Sequence, residues 1–478
     1  MRTMGFLKQK FTLFKNRFVG DRVFYKSVLG IAVPMMIQNG ITNLVNLLDN
    51  IMVGRLGTES MSGISIVNQF IFIFNLLVFG AIAAASIFTS QYYGTGDDEG
   101  LRYTFRFKFL ITLAASAIGT LIFAIFSDSF INMFLHESDS TGDLLLTMAE
   151  GRAYLYIMLI GLIPYAIAQV YASNLRETGE VVVPMLSSVI AVATNFVLNL
   201  ILIFGLLGAP ALGVRGAAIA TVVSRFVELL ILVIYAHTHK SRFKYLDGVY
   251  KSLHIPKGLF SAIIIKAIPL MMNEFFFALA ITMRNQCYST RGLDVVAAQN
   301  IAATVYNVCS VVYMSLGASV AIIIGSLLGA GKIEEAKEKD RKLIAFSVFA
   351  GFVLTSVMAI LSLFFPALYK TSEGVRDIAS YMMIISGLTM PFAAFSNAAY
   401  FTLRSGGKVL ITILFDSVYM WAVIMPVSLI CAHLTNLNIF IMYLICQGVD
   451  TLKCIFGAIL LKHGGWEKVL VSDEKLKS

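Results

Sequence analysis

Apolar stretches long enough to cross a bilayer recur along this chain, each closed off by a short polar or glycine-rich connection. Spanning the hydrocarbon core takes about 20 mostly apolar residues. Twelve segments meet that length: 27–53, 60–92, 107–127, 148–174, 181–205, 213–236, 261–289, 296–328, 343–366, 378–403, 409–432 and 438–461. Several exceed it, an excess that tilt or bending absorbs. Lipid offers no partner to a backbone N–H or C=O, so each predicted span is a helix. The first run, starting near Val28, is longer than the apolar core of a signal peptide and ends in no small-residue cleavage site, so it reads as the first span.

The two halves of the pattern repeat at an offset of 235 residues. Pro34 falls on Pro269, Gly57 on Gly292, Glu59 on Asp294, and Gly94-Thr95-Gly96 on Gly329-Ala330-Gly331. Further along, Leu175-Arg176 and Leu403-Arg404 match at an offset of 228, ahead of Gly179 and Gly407. The predicted fold class is an all-α polytopic membrane protein, with twelve transmembrane helices in two pseudo-symmetric six-helix lobes. Its parts are a cytoplasmic amphipathic N-terminus (1–26), an N-lobe (27–236), a cytoplasmic linker (237–260), a C-lobe (261–461) and a cytoplasmic tail (462–478). Six spans per half make the repeats parallel, an arrangement that leaves a cavity between bundles whose rocking gives alternating access.

Charge orients this pattern. With the N-terminus inside, the cytoplasmic pieces carry 27 Lys and Arg residues and the outer connections 6, a strong positive-inside bias. Both termini are therefore expected in the cytoplasm, with the protein in the cell membrane. The net charge of +9 is spread over these short connections, so it gives no continuous basic face for nucleic acid. Hydrophobic residues make up 58% of the chain and charged ones 14%, too few charges to cover a water-soluble globule. The five cysteines have neither metal nor disulfide spacing and read as buried small hydrophobes.

Ionisable side chains within the spans cost about 2.5–3.5 kcal/mol each on insertion scales, so each needs a reason. Arg225 with Glu228 and Asp450 with Lys453 stand three residues apart and are expected to pair. Lys266 lies near the cytoplasmic end of its helix, where a long side chain reaches water, and Arg284 lies near the outer end of the same helix. Asp49, Glu274 and Asp416 have no partner nearby in sequence. On the helix of Asp49, Asn39, Asn43, Asn46 and Asn50 recur at helical spacing, and Thr42, Asn46 and Asp49 form an overlapping row. Such a stripe faces a cavity or another helix. Asn195 and Asn199 share one face of the fifth span, and Thr221 lies on the sixth.

At these residues the chain resembles the multidrug and toxic compound extrusion (MATE) family. D-N-I-M-V-G-R-L-G-T-E (Asp49 to Glu59) is similar to the family's first-helix motif, N-F-V-L-N-L-I-L-I-F-G (Asn195 to Gly205) to its fifth, and A-L-G-V-R-G-A-A-I-A-T (Ala211 to Thr221) to the entry of its sixth. V-A-A-Q-N-I-A (Val296 to Ala302) and G-A-G-K-I-E-E-A (Gly329 to Ala336) fit the second half. The resemblance implies two lobes around an outward-opening cavity, and extrusion of organic, often cationic compounds in exchange for H+ or Na+. It implies a cation-coupling site at Asp49, Asn195, Asn199 and Thr221, and a first helix that bends at Pro34. Some members carry a second acid where this chain has Asn199. Glu274 and Asp416 are candidate second-lobe acids, although some relatives place a Glu at the position of Phe277. Gln38, Asn39, Asn46, Asn68, Tyr165, Gln169, Asn273, Gln299, Asn300 and Asn307 form a candidate substrate-cavity lining.

The implied activity is a secondary antiporter for small organic, cationic or amphipathic compounds, acting as a monomer in the bilayer. No cofactor is expected, and no metal beyond a sodium ion at Asp49. A lipid-linked oligosaccharide flippase of the same superfamily is the alternative, but few Lys or Arg residues lie within the helices here. A membrane-embedded enzyme is a third class, yet the chain has no metalloprotease, serine-hydrolase or paired-aspartate signature. It has no P-loop for ATP either.

Overall fold

The computed structural model describes residues 17–132, 144–369, 371–463 and 465–472, with the side chains of residues 46, 47, 50, 51, 58 and 130 outside that description. The described residues form helices and connections without a strand. In chain order they are α1 (Arg22–Gly54), α2 (Thr58–Thr95), α3 (Asp98–Ile125), α4 (Ser127–Asn132), α5 (Leu144–Ile160), α6 (Leu162–Glu177), α7 (Val182–Phe204), α8 (Val214–Thr238), α9 (Lys257–Ser289), α10 (Leu293–Gly329), α11 (Ile333–Ser362) and α12 (Glu373–Ser405). The helical span Val409–Leu434 is α13. It is followed by α14 (Ile439–Thr451) and α15 (Lys453–His463). Eleven helices among the described residues are long and apolar enough to cross a membrane, and the pair α5 and α6, bent by 45°, makes up to twelve. The bend falls at Gly161, three residues ahead of the helix-breaking Pro164.

Internal packing divides the chain into two units. One takes the chain up to Met36, Ser90–Thr95 and Met272–Asp473; the other takes Ile37–Thr89 and Gly96–Met271. Both α1 and α9 change unit within their own length, two residues beyond Pro34 and Pro269. A proline inside a helix removes one backbone hydrogen bond, so each crossing lies where its helix is weakest.

The repeat is visible in the backbone. Gly57 and Gly292 have φ of +116° and +112°, Gly96 and Gly331 +71° and +72°, and Gly179 and Gly407 +83° and +71°. Residues with a Cβ avoid this region, so glycine recurs where the same turn recurs. Close packing accounts for another matched pair: a Cβ on Gly94 would run into the backbone of Ser326, and one on Gly329 into that of Gln91. Ser326 is Gln91 shifted by the repeat offset, so the contact is reciprocal. Helices in lipid associate by such small-residue approaches.

Two connections are strapped down. Residues 243–249 lie against α3, where Arg106 donates to Val249 O (2.8 Å) and His254 O (3.1 Å), and Arg102 to Tyr245 O (3.1 Å). In the other unit the buried Gln91 amide donates to Ser405 O (3.0 Å) and Lys468 O (3.2 Å) and accepts from Leu470 N (2.7 Å).

Candidate cation-coupling site

The joint between α7 and α8 sets up the site. Gly205 caps α7 in a left-handed conformation (φ +72°). The chain then folds back so that Leu212 N donates to Leu202 O at 2.8 Å. A Cβ on Gly216 would lie 2.5 Å from Leu202 O, so only glycine permits this approach. Asn195 and Asn199 lie four residues apart on the buried face of α7, and Asn195 thereby meets Thr221 on α8.

Asp49 on α1 completes the group. Asn199 Nδ2 donates to Asp49 Oδ1 at 2.8 Å. The Asn195 amide fits in two orientations. With its nitrogen toward the carboxylate it donates to Asp49 Oδ2 at 3.0 Å and Oδ1 at 3.2 Å, while its oxygen accepts from Thr221 Oγ1 at 3.2 Å and Thr221 N at 3.3 Å. Turned over, its oxygen accepts from Asn199 Nδ2 at 3.1 Å and its nitrogen donates to Thr221 Oγ1 at 3.2 Å. A charged carboxylate only accepts, so the first orientation suits the ionised form. The second turns an acceptor toward Asp49 and suits a protonated carboxyl. Asn199 Oδ1 is buried without a hydrogen-bond partner among the described residues. Thus the four residues expected to share one site lie together, with one spare oxygen.

The remaining candidates are spread over both units. Gln38 Nε2 donates to Ser188 Oγ at 3.0 Å, and Ser188 Oγ donates to Glu228 Oε1 at 2.8 Å. Tyr165 lies under Arg225, whose guanidinium carbon is 5.1 Å from the ring centroid. Tyr154 OH donates to Asn68 Oδ1 at 3.5 Å. Asn39, Asn68, Asn300 and Asn307 are exposed, whereas Gln169 and Gln299 are half-buried. Asn300 borders a concavity of about 260 Å³ with Thr304 and Tyr369. The side chain of Asn46 lies outside the described residues. Asn273 is buried, and its amide donates to Asp416 Oδ2 at 3.3 Å. Glu274 Oε1 accepts from Tyr400 OH at 3.1 Å.

Two expected ion pairs are corrected. Lys453 bonds Asp416, not Asp450, and Asp450 Oδ2 accepts from Arg284 Nη1 at 3.1 Å. The reason is local: α14 ends at Thr451 and α15 begins at Lys453, so the break at Leu452 removes the helical adjacency of residues three apart. Glu228 is satisfied by Ser188 rather than by Arg225, which stacks on Tyr165. One buried pair escapes the sequence pattern altogether. Lys108 looks like the end of a charged connection, yet it lies in α3, fully buried, with Nζ 2.6 Å from Glu177 Oε2 and 3.1 Å from Ser173 Oγ. A predicted span that opens only at residue 107 misses the helix that already began at Asp98.

A family model described as MatE matches residues 34–201 and 269–430, more than half of the chain. The chain belongs to the MatE family. The two matched stretches open on Pro34 and Pro269, the first pair of the internal repeat. Among relatives of this MatE transporter, the probable multidrug resistance protein YoeA of Bacillus subtilis is 25% identical over 423 residues, covering 87% of this chain and 88% of its own. The probable multidrug resistance protein NorM of Thermotoga maritima is 22% identical over 476 residues, covering 98% and 99%. In fold, the chain matches a mutant of the Vibrio cholerae MATE transporter VcmN with a TM-score of 0.83 at 17% identity, over 95% of this chain and 99% of that one. The chain is thus a multi-pass membrane protein of an efflux-transporter family, not an enzyme.

Proposed function

We propose that this MatE member is an antiporter that exports small organic, cationic or amphipathic compounds from the cell in exchange for H+ or Na+. The observation that carries the reading is the Asp49 carboxylate held by the amides of Asn199 and Asn195, with Thr221 behind them. A carboxylate inside a span is kept for a purpose, because hydrocarbon tolerates it poorly. Two ions suit this set. A proton on Asp49 cancels its charge and turns the Asn195 oxygen into its acceptor. A sodium ion would draw on hard oxygens, and Asp49, Asn195, Asn199 and Thr221 have them, including the spare Asn199 Oδ1.

Either ion changes what Asp49 requires of α7 and α8. Neutralisation removes the need for two amide donors and frees α1 to bend at Pro34, where its hydrogen-bond ladder is already interrupted. Transport requires the two conformations to differ in affinity for the ion, since only a differential affinity shifts an equilibrium. The polar set from Gln38 to Asn307 supplies candidate contacts for the substrate, and the termini lie in the cytoplasm. The test is efflux of a fluorescent organic cation from proteoliposomes under separately imposed pH and sodium gradients. Efflux driven by one gradient identifies the ion; none under either ends the proposal.

A further inference from the structure

The two units carry opposite charges at matching positions. Asn273 and Asp416 correspond to Gln38 and Ser188 at the two repeat offsets, 235 and 228. Glu228 and Lys453 each stand fourteen residues beyond the first residue of their sixth span, Val214 and Ile439. In one unit the contacts run Gln38 to Ser188 to Glu228. In the other they run from Asn273 and Lys453 onto Asp416. The three-helix arrangement is the same, with an acid in one unit replaced by a lysine in the other. Asp49 likewise corresponds to Arg284, and Arg225 to Asp450. Arg284 donates to Asp450 Oδ2 at 3.1 Å.

Lys453 is built into its place. It is 8% exposed. Its ammonium touches Asp416 Oδ1 and lies 4.8 Å from the Phe415 ring centroid and 5.6 Å from that of Phe277. Aromatic faces favour a cation over a neutral group. The other Asp416 oxygen accepts from Asn273, whose own oxygen accepts from Ser417 Oγ at 2.7 Å. Both partners sit at helix irregularities: Asp416 in a π-helical turn, Leu414–Val418, and Lys453 directly after the break at Leu452. Such turns re-aim a side chain and recur at functional sites.

We propose that Lys453 is a tethered cation occupying, at Asp416, the place that a free monovalent ion takes at an open carboxylate site. The unit containing it then takes up no coupling ion of its own, and exchange rests on Asp49 alone. Tethering makes the competition with bathing ions intramolecular, at an effective concentration set by the geometry. The proposal rests on Asp49 as the coupling group, but its test reads ion binding without transport.

Binding of radioactive sodium to the purified full chain in nanodiscs, at alkaline pH, separates the two questions. Asp49→Asn should show no saturable sodium binding; persistence there would count against Asp49. On that background Lys453→Met should gain one saturable site, and adding Asp416→Asn should remove it. Lys453→Arg, which keeps the charge, should gain none. A folded Lys453→Met or Lys453→Gln protein without sodium binding overturns the tethered-ion proposal, as does Asp416-dependent binding with Lys453 intact. A thermal cycle serves if both Lys453 variants unfold: Asp416→Asn should lower the melting temperature and the double Asp416→Asn/Lys453→Met should regain most of it. Absence of that coupling also overturns the proposal.

Discussion

Lys108 offers a stability prediction with a definite size. Its ammonium is fully buried and meets Glu177 Oε2 at 2.6 Å and Ser173 Oγ at 3.1 Å, while Ser173 in turn donates to Glu177 Oε1 at 2.5 Å and lies 3.2 Å from Ser86 Oγ. Lys108→Met keeps most of the side-chain volume and removes the charge. Glu177, 8% exposed, is left with one hydroxyl donor. Removing one member of a buried pair costs about 3–5 kcal/mol, because the other charge stays buried without compensation. Replacing both members by apolar residues is close to neutral on the same grounds. Reversible denaturant unfolding in detergent micelles should therefore show a loss of about 3–5 kcal/mol for Lys108→Met. The double Lys108→Met/Glu177→Leu protein should recover most of that loss. A single-variant loss below about 1 kcal/mol, the size of an exposed pair, would refute the burial argument.

Three further outcomes are expected. Gly329→Val drives a side chain into the Gln91 backbone, so the protein should melt lower and yield less, whereas Gly374→Ala, with nothing near its Cβ position, should be within about 0.5 kcal/mol of the parent. Gln91→Ala removes three hydrogen bonds to residues 405, 468 and 470, so proteolysis after residue 463 should speed several-fold while the rest of the chain stays protected. Asn199→Ala strips Asp49 of its 2.8 Å donor and should lower gradient-driven efflux at least ten-fold, with protein abundance in the membrane checked by blot.

What the sequence reveals depends on how local the cause is. Hydrocarbon thickness acts on each segment separately, so the spans can be read one at a time. The repeat is legible because Gly57, Gly96 and their partners meet a backbone requirement within a single turn. The cluster at Asp49 is different. Spacing places Asn195 and Asn199 on one face, but their meeting with Thr221 and Asp49 follows from family resemblance, since it depends on how α7 folds back at Gly205 and Gly216. Lys453 marks the limit. Three residues from Asp450, it invites a local pairing, and only the break at Leu452 and the π turn at Asp416 send it elsewhere. Lys108 fails as a signal for a related reason, because its neighbours in sequence are the charges of a connection while its partner lies on α6.

Counterflow and gradient-driven export, compared in one set of proteoliposomes, test the role of Asp49 most directly. Asp49→Asn keeps the shape and a hydrogen-bonding group but cannot change charge. The protein should still exchange labelled for unlabelled substrate across the membrane and should no longer accumulate substrate against its gradient under an imposed pH or sodium difference. Uphill transport at the parental rate by the folded variant would contradict the assignment.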